Sequence, residues 1–317
     1  MAAVIAAPFC AFAQQVKAAA VVGVLRYTDQ ASSQPFVTAF KEGLKALGYI
    51  EGRNLTLHVR FADGNAERLT KLAEDLVNEK VDVLFAMDTP STRAAQHATK
   101  VIPIVIGTAT DPVANGLVTS LKRPGGNTTG LSNMSNDISP KRLEMLIALV
   151  PKLSRVAVLV NRSNPATRAE LQALDAANKR VGLKLLVHEV ETPEQIERAF
   201  DAMGVQGAQA LVVSADGYFT QQREQIIRLT RKLRLPSVTA NRESVEAGLL
   251  ISYGPNLDEN FRRAATYVDK IVKGARAGDL AIEQPTTLEL CINMKTAKSI
   301  GITVPQSILL RADRVIE

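Results

Sequence analysis

From residue 21 onward, short runs of apolar and β-branched residues alternate with stretches whose apolar positions recur at helical spacing. This is the pattern of a parallel sheet covered by helices on both faces. VVGVL (21–25) predicts the first strand. A helix opening at Pro35 behind Ser32 and Ser33 is expected next, because Phe36, Phe40, Leu44 and Leu47 share one face and Gly48 stops it. LTLHVRF (55–61), VDVLFAM (81–87) and IPIVI (102–106) predict three further strands, with helices near 66–79 and 91–100 between them. Together these elements describe one doubly wound lobe.

The pattern then repeats. RVAVLV (155–160) matches the first strand, a helix over about 165–180 ends in Val181-Gly182-Leu183 where the earlier one ended in Leu47-Gly48-Tyr49, and LKLLVHEV (183–190) follows. Thr192-Pro193-Glu194-Gln195 reads as a capping box that starts another helix. AQALVVS (208–214) and LPSVTA (235–240) take the places of the third and fourth strands. Val24 and Val158 are 134 residues apart, as are Gly48 and Gly182, while Pro103 and Pro236 are 133 apart. Two copies of one α/β unit therefore lie in a single chain.

Three segments suit a crossing between the copies: RPGGNTTGLSNMSND (123–137), LLISYGPNLDEN (249–260), after which a helix runs to about Lys273, and QPTTLELCIN (284–293). The fold class this predicts is α/β, with two doubly wound parallel-sheet lobes joined by a three-segment hinge. One lobe is formed by 20–133 with 255–285, the other by 134–254 with 286–317. Ligands of open α/β sheets sit at the carboxyl ends of the strands, so two such sheets facing each other place the site in the cleft between them.

Composition narrows the classes. Hydrophobic residues at 46% and charged residues at 22% fit a globular chain, and no internal run reaches the roughly 20 apolar residues of a membrane span. The net charge of +6 comes from dispersed basic residues without interleaved aromatics, which argues against nucleic acid as a partner. Residues 1–13, MAAVIAAPFCAFA, carry no charge and end in an A-x-A pattern, so they read as the remnant of a secretory signal whose basic n-region is missing. Cleavage after Ala13 leaves Cys291 as the sole cysteine and excludes an internal disulfide.

Catalytic motifs are scarce. The chain has no G-x-S-x-G elbow, no C-x-x-C and no G-x-G-x-x-G after its first strand, and GGNTTG (125–130) lacks the Lys-Ser/Thr of a phosphate loop. His188-Glu189 has Thr192 where a zinc protease needs its second His, and His58, His97 and His188 read as ordinary core or surface residues. The expectation is no catalytic residue, no metal and no cofactor.

The strand tips, by contrast, are small and polar. The predicted ligand-binding residues are Tyr27, Thr28, Gln30, Thr89, Ser91 and Thr108 in the first lobe, and Asn161, Arg162, Asp216, Tyr218, Phe219, Asn241 and Arg242 in the second. Asp88, Asp111 and Asn164 stand at the same tips, with helix capping as their competing role. Thr89 and Ser91 offer hydroxyls beside helix-end N–H groups without a base to activate either oxygen, which points to hydrogen bonding of a solute. Arg93, Arg162 and Arg242 predict an anionic group on that solute. Tyr27 opposite Tyr218 and Phe219 predicts a planar group held between rings.

The segments FKEGLKALGYIEGRNL (40–55), DPVANGLVTSLKRPGGNTTGLS (111–132), KRLEMLIALVPKLSRVAVLVN (141–161), SYGPNLDENFRRAATYVDKIVKGA (252–275) and EQPTTLELCINMKTAKSIGITVPQSILLRADRVIE (283–317) resemble the bacterial ABC-transporter solute-binding proteins of the group that includes tryptophan- and tyrosine-binding lipoproteins. The resemblance implies a type I, three-crossover periplasmic-binding-protein fold. It also implies an extracytoplasmic, non-enzymatic protein that closes on a small ligand, an aromatic or amino-acid-like carboxylate. A monomer handing this ligand to an inner-membrane permease with a cytoplasmic ATPase is expected. The alternative on the same fold is a periplasmic ligand sensor feeding a signalling receptor. Cys10 lacks the usual Leu-Ala-Gly type context of a lipid-anchor site, which favours a soluble periplasmic form.

Overall fold

The computed structural model describes residues 19–317, so the apolar segment read as a signal remnant, with Cys10, lies outside the described residues. The first lobe runs β1 (Ala20–Arg26), α1 (Gln30–Ala46), β2 (Leu55–Phe61), α2 (Ala66–Asn78), β3 (Val83–Ala86), α3 (Thr89–Ala98), β4 (Ile104–Ala109) and β5 (Thr128–Ser132). The second runs α4 (Ser135–Leu149), β6 (Arg155–Asn161), α5 (Thr167–Asn178), β7 (Lys184–Val190), α6 (Pro193–Gln206), β8 (Ala210–Val213), α7 (Gly217–Gln221), α8 (Arg223–Leu233), β9 (Ser237–Thr239), α9 (Arg242–Ala247) and β10 (Ile251–Pro255). Helix α10 (Leu257–Val272) returns to the first lobe, and β11 (Leu288–Asn293), α11 (Met294–Ile300), α12 (Gln306–Leu309) and β12 (Arg314–Ile316) complete the second.

The first sheet has the order β2-β1-β3-β4-β5, and the second β12-β11-β10-β9-β8-β6-β7. Removing β11 and β12 leaves β10-β9-β8-β6-β7, the first sheet's order with β6 in the place of β1. All these pairs are parallel, and only β10 with β11 is antiparallel. The fold is thus a two-lobed α/β structure built twice on one plan.

Packing explains the lobes. In the first, Phe40 stacks on Phe85 with centroids 3.9 Å apart, and Phe261 of α10 meets Phe85 edge-on. Helices α1 and α10 touch at Gly43, where an added Cβ would stand 2.5 Å from the Arg262 carbonyl oxygen, so only glycine admits this approach. In the second lobe Arg142 is fully buried and paired with Glu170 at 3.7 Å; it donates to the Tyr253 carbonyl, Ser139 and Ser135, while Glu170 accepts from Ser139 and Ser214. Burial pulls the Arg142 pKa down, opposed by the Glu170 charge. The network joins the start of α4 to the tip of β8, one end of the cleft wall.

Several boundaries differ from expectation. Helix α1 begins at Gln30, capped by Asp29, whose Oδ1 accepts from the Ser32 N–H at 2.8 Å, and Pro35 lies inside the helix instead of opening it. Thr128–Ser132, read as part of a crossing, is the fully buried edge strand β5, because β4 offers it a ladder. The first crossing shrinks to Asn133 and Met134, the latter left-handed at φ 52°. Likewise β10, the start of α10 and β11 take up much of the other two presumed linkers, leaving Asn256 and roughly 283–287 as the connections. Gln195 does not close a capping box on Thr192, since its Oε1 accepts from the Glu191 N–H instead.

Candidate functional site

The carboxyl ends of both sheets face one another across a cavity of about 50 Å³. Arg26, Tyr27, Phe36, Asp88, Thr89, Thr108, Thr110 and Asn133 line it from the first lobe, Asn164, Asp216, Gly217, Thr220 and Asn241 from the second, and Leu257 from the hinge.

Arg26 closes β1, so the strand that buries VVGVL delivers a guanidinium to the cleft. It is 4% exposed, donates from Nε to Thr28 at 3.0 Å and Ser33 at 3.3 Å, stands 5.8 Å over the Phe36 ring, and pairs with Asp88 at 3.3 Å. Asp88 serves two masters, capping α3 through the Ser91 N–H at 2.8 Å and accepting the Tyr27 N–H at 3.3 Å. Thr89 Oγ1 accepts from the Thr110 N–H at 3.2 Å, and the Asn133 amide donates to Thr110 Oγ1. Thr108 Oγ1 is buried without a hydrogen-bond partner, leaving polar capacity at the cavity wall.

Across the cleft, Asp216 caps α7, accepting from the Tyr218 N–H at 2.7 Å and from the Asn164 amide at 2.7 Å. Burial raises its carboxyl to about 6, against the lowering effect of the Asn164 and Tyr218 hydrogen bonds. The same burial, with Asp216 and Asp88 nearby, pushes the Tyr27 phenol up to about 12, and its hydroxyl donates to the Gly64 carbonyl at 2.7 Å. Gly217 lies against the first lobe: a Cβ there would stand 3.0 Å from Thr28 and 3.3 Å from the Arg26 guanidinium. One guanidinium and two carboxylates thus share a small, water-poor space in which charged hydrogen bonds are strong.

Of the residues predicted from the sequence, the structure brings Tyr27, Thr89, Thr108, Asp216 and Asn241 to the cavity. Thr28 does not line the cavity but touches Gly217 of the other lobe and bonds to Arg26 and Ser33, and Ser91 is fully buried inside the start of α3. Gln30 is exposed at the head of α1, and Asn161 accepts from Ser163 beside a second, more apolar chamber between the lobes.

The structure places the three expected arginines outside this cavity, Arg93 lining the second chamber. Arg162 is exposed in a separate groove with Arg168 and Glu189, Arg93 donates to the Asn115 carbonyl, and Arg242 is bound by Glu289 at 3.1 Å and Asp258 at 2.9 Å with Glu243 and Glu246 close by. The cation of the site is Arg26, and the surrounding charge leans negative instead of positive. Tyr218 and Phe219 are 5% and 3% exposed, tilt against one another and share an apolar cluster with Tyr27, but neither lines this cavity, which Phe36 reaches.

Arg26, Phe36, Asn133 and Leu257 escaped the sequence reading. A lone charge at the carboxyl end of an apolar strand was a usable signal for Arg26; Phe36 was indistinguishable from the core face of its helix. Among the described residues no cluster of three or more His, Cys, Asp or Glu is placed to hold a metal ion, and no helix is long and apolar enough to cross a membrane.

Comparison with known proteins places this geometry in context. The family model for ABC transporter substrate binding proteins matches residues 21–316. A curated tyrosine-binding protein of Clostridioides difficile (strain R20291) is 26% identical over 282 residues, covering 89% of this chain and 81% of that one. A conserved domain protein from Vibrio cholerae is 29% identical with a TM-score of 0.89, covering 93% of this chain and 99% of that one. The ABC domain from Streptococcus pneumonia in complex with L-Trp is 24% identical with a TM-score of 0.88 over 94% of this chain and all of that one, 100%. The ligand-free, open structure of CD0873, a substrate binding protein from Clostridium difficile, is 25% identical with a TM-score of 0.67, covering 94% and 99%.

Proposed function

Because the chain belongs to the ABC transporter substrate-binding protein family, we propose that it is the extracytoplasmic solute-binding component of an importer, and that it closes on a small zwitterionic, amino-acid-like ligand and passes it to a membrane permease. The observation that carries the ligand class is the placement of Arg26 on one lobe and Asp216 on the other within one enclosed cavity. A carboxylate is matched by Arg26 with the Thr89 and Thr108 hydroxyls, and an ammonium by Asp216 with Asp88 behind it. A ligand that bridges both walls stabilises only the closed arrangement, which couples binding to closure. The greater overlap with the L-Trp complex than with the open, ligand-free relative supports reading the present arrangement as closed.

The test is calorimetric titration with L-tyrosine, L-tryptophan and L-leucine alongside tryptamine, which lacks the carboxylate, and indole-3-propionate, which lacks the ammonium. Zwitterions are expected to bind at least tenfold tighter than either truncated probe, since each omission removes a charge-assisted hydrogen bond in a buried site. Equal affinity for indole-3-propionate and L-tryptophan overturns the ligand class. Loss of uptake of the bound amino acid on deleting the gene supports the importer role, and unchanged uptake opposes it.

A further inference from the structure

We propose a second binding site, at the hinge, for a small neutral polyhydroxylated molecule such as a polyol or a monosaccharide. The cavity there measures about 300 Å³ and is walled by two of the three connections between the lobes, Asn256 ahead of α10 and Glu283 to Thr287 ahead of β11, and by Leu131 of β5, two residues before the first connection begins. The first turns of α10 supply Asn260 and Arg263. This wall is held in place from both sides. Glu283 pairs with β5 through its N–H to the Gly130 carbonyl at 3.0 Å and its carbonyl to the Ser132 N–H at 2.9 Å, while the Asn256 amide donates to Glu289 of β11 at 2.6 Å.

Asn260 is the observation that points to a ligand. It is 5% exposed, it lines the cavity, and its amide nitrogen has no hydrogen-bond partner. A buried amide donor left unpaired is costly, and an acceptor oxygen placed in the cavity relieves that cost. The remaining lining selects among acceptors. Arg263 and Glu283 neutralise each other through two hydrogen bonds, at 2.8 and 3.0 Å, so neither is a free partner for an ion. An anion would stand against Glu259 and Glu283, and a cation would meet the Asn260 and Arg263 donors. A hydroxyl both accepts and donates, which suits the Asn260 amide on one side and the carboxylate and Thr286 and Thr287 hydroxyls on the other.

The position makes occupancy consequential for the cleft. Leu257 lines the inter-lobe cavity and Asn260 lines this one, so the first turn of α10 is shared between them. Because the wall contains two of the three connections between the lobes, a change in the angle between the lobes alters its shape. A molecule that fits one arrangement therefore shifts the affinity of the cleft, and a cleft ligand shifts the hinge affinity by the same factor.

The experiment is calorimetric titration of glycerol, D-ribose and D-glucose into the whole protein and into Asn260→Leu and Thr287→Val. Polyols raise melting temperatures nonspecifically, so saturable binding is the criterion and thermal shift is not. At least one probe is expected to bind saturably. The affinity should fall at least about tenfold in Asn260→Leu, which removes the donor and fills the wall, and a few-fold in Thr287→Val, an exposed position whose change leaves the fold intact. The response to L-tyrosine or L-tryptophan should persist in Thr287→Val, shifted when the polyol is present. No saturable binding by any probe overturns the proposal, as does binding undiminished in both variants. Binding lost in Thr108→Val but kept in Asn260→Leu places the probe in the cleft and also overturns it.

Discussion

Replacing Asp216 by Asn tests the electrostatic reading of the cleft through stability alone, before any ligand is known. Burial moves the Asp216 carboxyl from 3.8 to about 6. At about 1.4 kcal/mol per tenfold change in proton affinity, holding the ionised form in the folded protein costs about 3 kcal/mol near neutral pH. The folded pKa lies above the unfolded one. The favourable contribution of Asp216 is therefore complete below about pH 4, where the carboxyl is protonated in both states, and is lost as pH rises through about 6. Asp216→Asn removes the ionisation but turns an amide toward the Asn164 donor, forfeiting one hydrogen bond at about 1 kcal/mol. The net expectation is a gain of about 2 kcal/mol at pH 7, roughly 3 °C in Tm for a chain of this length, and a loss of about 1 kcal/mol at pH 4. Differential scanning fluorimetry of both proteins in steps from pH 4 to 8, checked by urea unfolding at the two ends, measures it. The gain in stability should be accompanied by loss of the response to zwitterionic ligands, the usual opposition between a strained charge and its task. A difference between parent and variant that stays flat from pH 4 to 7, or a variant less stable at pH 7, refutes the argument.

Arg26→Ala leaves Asp88 buried without its cation and is expected to cost about 3–5 kcal/mol by urea unfolding, together with loss of carboxylate ligands in calorimetry. Arg142→Met should cost a similar amount by stranding Glu170, whereas Arg142→Met combined with Glu170→Leu should recover all but about 1 kcal/mol; a double variant as unstable as the single would refute the pairing. Arg162→Ala should bind amino acids within about twofold of the parent, because its side chain stands in a groove outside the cavity, and a tenfold loss would show that the lining is misassigned.

The architecture was readable in the chain because its signals are local. Strand-forming runs such as LTLHVRF, the helical face of Phe36, Phe40 and Leu44, and the 134-residue repeat each depend on residues close in sequence or on a pattern repeated along it. The family likeness rests on the same continuous stretches. Edges were less legible: Thr128–Ser132 carries the Gly, Ser and Thr of a linker, and only the neighbouring β4 makes it a strand.

The site was half legible for a related reason. A sheet's carboxyl ends can be located from the strands, so Tyr27, Thr89, Thr108, Asp216 and Asn241 were found as polar groups just beyond apolar runs. Which of these groups remain free for a ligand is a matter of partners distant in sequence. Arg242 is consumed by Asp258 and Glu289, 16 and 47 residues away, and Arg26 is held in the cavity by Asp88, 62 residues on. Tyr218 and Phe219 share the tip sequence of a binding loop, yet the turn of α7 packs them into an apolar cluster with Tyr27 and leaves Asp216 and Gly217 lining the cavity. Charge pairing and burial are set by contacts between elements. The chain therefore announced two similar lobes with polar rims, and the way they pack together determined that one arginine and two aspartates would line the cavity between them.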